Sequence, residues 1–526
     1  GIFCGMGVCQ ECLVEIDGHP SQRACITVIE GPVKIRRQVP DSPLSSTADA
    51  PTISSYDDYS VDEPDVLVIG GGPGGLTAAS IAAEAGAKVV LLDERPELGG
   101  QFYKQPKAID DLPKTMAQDP QFLKGRELIE RARKSGAELL SGMEVWGAFA
   151  PNEIAAAEGK QSRIFRPRRI IVAAGAHERG LPLPGWTLPG VMTTGAAQTL
   201  LRGYGVLPGK RILVAGNGPF NLQVGLELSE AGAKVVAVAE LAKAPGISSL
   251  GSLIGMVMSS PGLLAKGIKI VSQLRGTGVP VLNGIGLASV EQTPDGLRAK
   301  LGKANPEGID GTVSYDVDVV CMGYGFQPNN DILRSLGCEH EFDRGRGHLV
   351  VKRNDKCGTT VDGGHAIGDC CGLRGAPATL EEGLIAGVSV IEELGMNIPG
   401  SLSKIRNDAM LRLKGHARFQ SALWDVYSAP RYQLELATPE TKICRCENVD
   451  MATLSEVLND GEPSIGDIKR RTRLGMGRCQ GRYCAPVTAS ILSKRQGRQM
   501  DEFALFATRV PIKPIRIADM VKPYKE

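Results

Sequence analysis

Eight of the chain's 13 cysteines stand in two sets of four, one near each end of its 526 residues, and two glycine-rich turns lie between them. The first set is Cys4, Cys9, Cys12 and Cys25; the second is Cys444, Cys446, Cys479 and Cys484. Thiols gathered at such spacings either cross-link or bind metal. Reduced, metal-holding thiols are expected, because no charged-then-apolar leader is present and clustered cysteines in a reducing cytoplasm are more often ligands than disulfides. At roughly 150 residues per domain the length predicts three or four domains. Sixty basic and 59 acidic residues leave a net charge of +1, which gives no field to draw in nucleic acid or an anionic membrane. No apolar run reaches about 18 residues, so no transmembrane segment is expected.

Composition shifts divide the chain. Residues 1–38 carry the first cysteine set, and Cys12 to Gly18 alternate and turn as a hairpin does. Residues 39–64 are rich in Ser, Pro, Asp and Thr without periodicity, as in a linker. Residues 65–400 alternate short apolar runs with helix-like stretches, the pattern of parallel α/β sheets, with an inner nucleotide-binding unit at about 205–325. A helical connector over 401–440, a compact cysteine-bearing unit over 441–500 and a proline-rich tail over 501–526 complete the chain.

The first glycine turn comes in full context. Asp65 to Ile69 predicts a buried parallel strand, Gly70-Gly-Gly72-Pro-Gly74-Gly75 supplies a G-x-G-x-x-G turn, and an Ala/Leu-rich helix follows. Such a turn brings backbone amides and a helix N-terminus to a pyrophosphate. The next strand ends in Asp93 and Glu94, where a carboxylate accepts from ribose hydroxyls; Asp93 is in the better register. Far downstream, Gly368-Asp369 follows a short apolar strand and precedes a small-residue helix beginning at Ala376. It is similar to the second FAD motif of flavoproteins with two dinucleotide domains, in which the aspartate accepts from the ribityl chain. Ile170 to Gly175 and Val319 to Gly323 resemble the strands on which such chains cross between domains.

The second turn, Gly216-Asn-Gly218-Pro-Phe-Asn221, has Asn where the third glycine belongs, and Glu240 ends its second strand. A nicotinamide nucleotide with a free 2′-hydroxyl could bind there; a purely structural Rossmann unit fits equally well. Neither unit holds a C-x-x-C or C-x4-C redox dithiol.

The first cysteine set has the C-x4-C-x2-C…C spacing of a plant-type 2Fe-2S ferredoxin. Tetrahedral zinc is the competing reading, since four thiolates suit it too. In the second set the glycines of Gly475 to Cys484 free the backbone for a tight loop, and Arg445, Arg478 and Arg482 can offset the charge of a thiolate-ligated cluster. Cys321, Cys338, Cys357, Cys370 and Cys371 lack such spacing and are expected as core or loop thiols.

Four segments carry a resemblance to a family. Ala174 to Arg179, Pro184 to Val191, Gly216 to Gln223 and Gly475 to Cys484 resemble the large (alpha or A) subunit of heteromeric bacterial flavin dehydrogenases. That group includes opine oxidases, D-hydroxyproline and proline dehydrogenases, hydrogen cyanide synthase and, more distantly, sarcosine oxidase. The resemblance runs from about residue 62 onward. Its C-terminal cysteines look like the bacterioferritin-associated-ferredoxin type of 2Fe-2S domain, and Phe3 to Cys12 resembles a small gamma subunit fused in front. Strands and a helix that precede the first ligand in such ferredoxins are missing, so either the sequence starts inside the domain or its cluster is less sheltered.

The resemblance implies an α/β flavoprotein with two dinucleotide-binding, Rossmann-like units, flanked by a partial ferredoxin-like segment and a small helical 2Fe-2S domain. It implies two 2Fe-2S clusters, FAD at the first turn (NAD or ATP in some members) and FMN at a subunit interface. Substrate oxidation then belongs to a D-amino-acid-oxidase-like beta subunit in a higher hetero-oligomer, with this chain carrying electrons onward to an unnamed acceptor. No residue of this chain is expected to be catalytic, and the setting is cytoplasmic, touching the inner face of the membrane only through that acceptor. Two other classes remain open: a stand-alone NAD(P)H-dependent flavin and iron-sulfur oxidoreductase, and a non-catalytic electron-transfer scaffold.

Overall fold

Apolar β-branched runs too short for helices become the two central sheets of the chain. The computed structural model describes residues 1–29, 31–38, 61–106, 119–158, 161–517 and 520. Most of the stretch expected to be a linker, residues 39–60, lies outside the described residues, as do 521–526 of the tail. Val61–Asp62 belong to a sheet, pairing in parallel with Gln161–Phe165.

The first sheet has five parallel strands in the order Gly364–Ala366, Arg169–Val172, Val66–Ile69, Val89–Asp93 and Glu138–Ser141. Val66 to Ile69 are all buried, as a strand covered on both faces must be. The second sheet repeats the plan with Val191–Thr193, Val319–Gly323, Arg211–Gly216, Lys234–Glu240 and Val281–Asn283. In both, the strand that feeds the glycine turn is central, so each turn opens at the carboxyl edge where ligands of open α/β sheets bind.

Small residues bring distant motifs together. The first-turn helix Pro73–Glu84 packs on helix Ala376–Glu393, and a Cβ at Gly383 would come within 2.5 Å of the Gly74 carbonyl oxygen. That close approach sets Gly368-Asp369 beside the first turn although some 300 residues separate them in sequence.

The flanking segments are small. Leu13–Ile16 pairs with His19–Arg23 and with Ile35–Arg37 in an antiparallel sheet beside the first cysteines. The connector is one long helix, Gly400–Val426. Beyond it, the pair Lys442–Cys444 and Val449–Asp450 and the helices Met451–Asn459, Ile465–Thr472 and Cys484–Arg495 enclose a core of Leu454, Ile468, Leu474 and Val487. Among the described residues, no helix is long and apolar enough to cross a membrane.

Candidate functional site

One large cavity, ≈ 920 Å3, gathers most residues expected at the first nucleotide site: Gly70, Gly72, Gly74, Asp93, Glu94, Gly368 and Asp369 all line it. Gly75 does not reach the wall. It stands where a Cβ would lie 1.9 Å from the Gly70 carbonyl oxygen, so its part is to let helix meet strand. Gly70 itself has φ +113°, a conformation that favours glycine. At Gly72 an added Cβ would meet nothing closer than Gly100 Cα at 4.0 Å, so the space beside it is open cradle.

The two acids differ in state. Asp93 Oδ2 accepts from Gly71 N at 2.6 Å and Oδ1 from Arg95 N at 2.8 Å, while burial pushes its carboxyl up to about 6. Burial also works to raise Glu94, but Lys513 and Arg23 overcome it and hold the group down at about 2. Glu94 is ion-paired with Lys513. Asp93 is therefore the acid placed to meet a ribose. Asp369 Oδ1 accepts from Arg374 N and Gly375 N, both at 3.0 Å, and burial raises its carboxyl.

Sequence reasoning missed three residues of this site. Glu382, fully buried, accepts from Gly368 N at 2.6 Å and pairs with Arg353, so it fixes the turn that carries Asp369. Lys104 and Glu178 line the cavity on the side of the second sheet. Lys104 donates to Thr199 Oγ1 at 2.8 Å, and burial pulls its amine down to about 7. Glu178 Oε2 accepts from Gly195 N at 2.7 Å; burial raises the carboxyl to about 7, and Oε1 is buried without a partner. Glu178 sits inside the segment Ala174 to Arg179, yet its orientation rests on a helix start that the segment does not contain. Lys104 had no signal of pattern or spacing.

The second turn has its donors engaged internally. Glu240 accepts from Gly218 N through both oxygens, at 2.9 and 3.1 Å, and is buried. Asn221 Nδ2 donates to Gly323 O at 2.9 Å, and its Oδ1 accepts from Thr194 Oγ1 at 3.0 Å. Asn217 Nδ2 donates to Tyr427 O at 2.8 Å, which brings the end of the connector helix over the turn. Gly216, Gly218 and Glu240 are absent from the lining of the large cavity.

Both cysteine sets hold free thiols packed in pairs. Cys4, Cys9, Cys12 and Cys25 are all buried, and Cys9 N donates to Cys4 Sγ at 3.3 Å. Within each pair the thiols split: Cys9 draws Cys4 down to about 7 and Cys25 draws Cys12 down to about 6, while Cys9 and Cys25 are driven upward. In the second set Cys444 and Cys479 each stand 3.7 Å from Cys446, sulfur to sulfur. A Cβ at Gly477 would lie 2.3 Å from Cys446 Sγ, so the loop lets backbone alone approach the sulfur. Among the described residues, no three His, Cys, Asp or Glu side chains converge on a single-ion site. Buried thiols standing in pairs, with backbone pressed against the sulfurs, fit a two-iron cluster in each set.

The two sets meet in one apolar core that contains Phe3, Cys4, Cys9, Trp186, Cys479 and Tyr483. Phe3 contacts Trp186 and Tyr483 edge-on, with centroids 5.7 and 5.4 Å apart. Met6 and Val8, on the first cysteine loop, line the large cavity, as does Arg482 of the second loop. Of the three arginines expected to offset charge, Arg478 is exposed and Arg482 is paired with Asp331 at 2.9 Å. His177 has partners at both ring nitrogens, Asn329 Oδ1 and Arg482 O.

Comparison with known proteins agrees with this layout. Residues 64–387 match the pyridine nucleotide-disulphide oxidoreductase family, residues 1–40 the 2Fe-2S iron-sulfur cluster binding domain and residues 440–522 the sarcosine oxidase A3 domain. The large subunit of the opine oxidase of Rhizobium meliloti (strain 1021) is 30% identical over 465 residues, covering 87% of this chain and 99% of that protein. The HcnB subunit of the hydrogen cyanide synthase of Pseudomonas aeruginosa is 30% identical over 463 residues, covering 85% of this chain and 96% of that one. The alpha subunit of the sarcosine oxidase of Rhizobium meliloti is 24% identical, over 82% of this chain and 40% of its own length. The crystal structure of L-proline dehydrogenase from P. horikoshii superposes with a TM-score of 0.66 at 19% identity, covering 97% of this chain and 87% of that one, which shows a shared fold.

Proposed function

The chain belongs to the pyridine nucleotide-disulphide oxidoreductase family and, within it, stands with the large subunits of opine oxidases; from that membership we propose that it is the electron-transferring subunit of a heteromeric dehydrogenase. It is an oxidoreductase of the class that acts on CH–NH bonds, a flavin-dependent subunit of an enzyme that oxidises amino acids or opines. The finer reading is that a D-amino-acid-oxidase-like beta subunit strips the substrate, with FMN held between the subunits of a higher hetero-oligomer. The reading keeps the complex in the cytoplasm, at the membrane only through its electron acceptor.

The observation that carries the proposal is the junction of cavity and cysteines: the first cysteine loop forms wall of the nucleotide cavity through Met6 and Val8 and shares a buried core with Cys479 of the second set. Flavin, when bound, accepts two electrons from a substrate carbon, whereas a 2Fe-2S centre takes one at a time. This chain's residues would hold FAD by the open cradle at Gly72, by Asp93 and by Asp369. The unpartnered Glu178 Oε1 supplies one more acceptor for a bound ligand. Cys4, Cys9, Cys12 and Cys25 would hold one cluster and Cys444, Cys446, Cys479 and Cys484 the other. The internal closure of the second turn weighs against hydride entry from NADH at that place.

The test is to produce residues 1–526 with and without the neighbouring beta subunit, then to assay dehydrogenation of amino and imino acids with an artificial electron acceptor. Turnover is expected only from the pair. Full turnover by this chain alone would overturn the division of labour.

A further inference from the structure

Arg445 lies between Cys444 and Cys446, and Glu11 between Cys9 and Cys12. These two side chains, 434 residues apart, form a two-pronged ion pair: Arg445 Nη2 donates to Glu11 Oε2 at 2.7 Å and Nε donates to Oε1. The third arm of the guanidinium donates to the Trp186 carbonyl. Its flat faces are engaged as well, with the guanidinium carbon 3.8 Å from the centre of the Phe3 ring and 4.8 Å from that of Trp186. Only 8% of the Arg445 side chain is exposed, and 17% of Glu11.

A guanidinium withdrawn from water this far is kept only where its surroundings satisfy it. Docking alone does not call for such a group, because the first segment is already anchored elsewhere. Arg23 pairs with Glu144 at 2.8 Å, the Tyr204 hydroxyl donates to Cys25 O at 2.9 Å, and Thr193 N donates to Phe3 O at 2.9 Å. What distinguishes the Arg445 pair is its place, with each end set between two thiols of a different site. A charge in a poorly screened interior acts strongly on neighbours within a few ångströms. Each electron that arrives at a thiolate-ligated centre adds negative charge, so a nearby cation eases reduction and a nearby carboxylate opposes it.

We propose that the Arg445–Glu11 pair is an electrostatic coupler that sets the reduction potentials of both four-cysteine centres together. The inference rests on reading both sets as 2Fe-2S sites. Arg445 acts through its charge on the centres and is a positioning residue, without a bond to any reacting atom.

The experiment uses the full chain, purified without oxygen and titrated electrochemically while the two reduced-cluster signals are followed by electron paramagnetic resonance. Two distinct signals in the unsubstituted chain are required first; their absence would overturn the cluster reading itself, before any substitution is made. Arg445→Gln should then make both centres harder to reduce, and Glu11→Gln should make both easier. Each shift should be at least tenfold in the one-electron equilibrium, about 59 mV. Opposite signs from the two ends of one ion pair are the signature of coupling by charge. Shifts of the same sign, or no shift, would mean that the pair only docks the segment and would overturn the proposal.

Hydrogen exchange over residues 1–38 shows whether the segment stays docked. If Arg445→Gln releases it, Arg445→Lys decides, since it keeps the charge and loses the fork. Potentials within twofold of the original equilibrium support the proposal, and a tenfold fall overturns it.

Discussion

The two glycine turns are built on one plan and end in opposite states. In each, a buried parallel strand feeds G-x-G-P, a helix follows, and an acid at the end of the next strand reaches back to a loop amide. Asp93 reaches Gly71 N, whereas Glu240, longer by one methylene, reaches Gly218 N. Gly218 corresponds to Gly72, the position whose backbone must face a pyrophosphate. The longer acid thus takes the donor that a ligand would need. Asn221 continues the closure from the third glycine position by bonding Gly323 O, and Asn217 ties the mouth to Tyr427 O. A phosphate-binding motif is therefore a statement about backbone shape, and which partner its amides meet is decided by side chains outside it.

Substitution at the two equivalent glycines should separate binding from folding, and this is the largest effect expected. Gly72 has φ −78° and open space beside it, so Gly72→Val should fold normally while its side chain fills the pyrophosphate cradle. Affinity for the dinucleotide should fall by about 100-fold or more, ~2.8 kcal/mol. Gly218 has φ +114°, which a valine adopts only under strain of about 1–3 kcal/mol. Gly218→Val should lower the melting temperature and leave the bound dinucleotide in place. Ligand titration and thermal melts of both variants check the pair; loss of one dinucleotide from each would break the contrast.

A smaller and pH-dependent effect belongs to the sealed turn. Burial raises the Glu240 carboxyl from its ordinary 4.5 to about 7. Between those values the folded chain keeps a proton that the unfolded chain has released, so stability falls as pH rises from 4.5 to 7 and is level above it. The full loss is on the order of 3 kcal/mol, at 1.36 kcal/mol for each unit. Glu240→Gln should flatten that slope while still accepting from Gly218 N. Denaturant unfolding across pH 4 to 8, about the span of the shift, reads it directly. An unchanged slope would show that Glu240 is open to solvent or to a ligand.

What could be read in the sequence was local. Strand, turn and helix at Val66–Ile69 and Pro73–Glu84 follow from an apolar run too short for a helix, followed by glycines and a proline at the helix start. Family resemblance carried Gly368-Asp369 to the same site, where the Gly74–Gly383 contact supplies the physical reason. Hidden from sequence was everything that depends on distant chain segments meeting: Glu382 beneath Gly368, Lys104 and Glu178 facing the cavity, Tyr427 over the second turn, and Glu11 on Arg445. No periodicity encodes a partner hundreds of residues away. The replacement of the third glycine by Asn221 was visible, but its consequence needed the carbonyl of Gly323 to be placed.

The central claim, that one open nucleotide site feeds two thiolate-ligated centres in a single chain, is tested most directly by counting what the native protein carries. Anaerobic purification followed by metal, acid-labile sulfide and nucleotide analysis should find about four irons, about four sulfides and one dinucleotide per chain. Zinc in place of iron in either cysteine set, or two dinucleotides per chain, would contradict it.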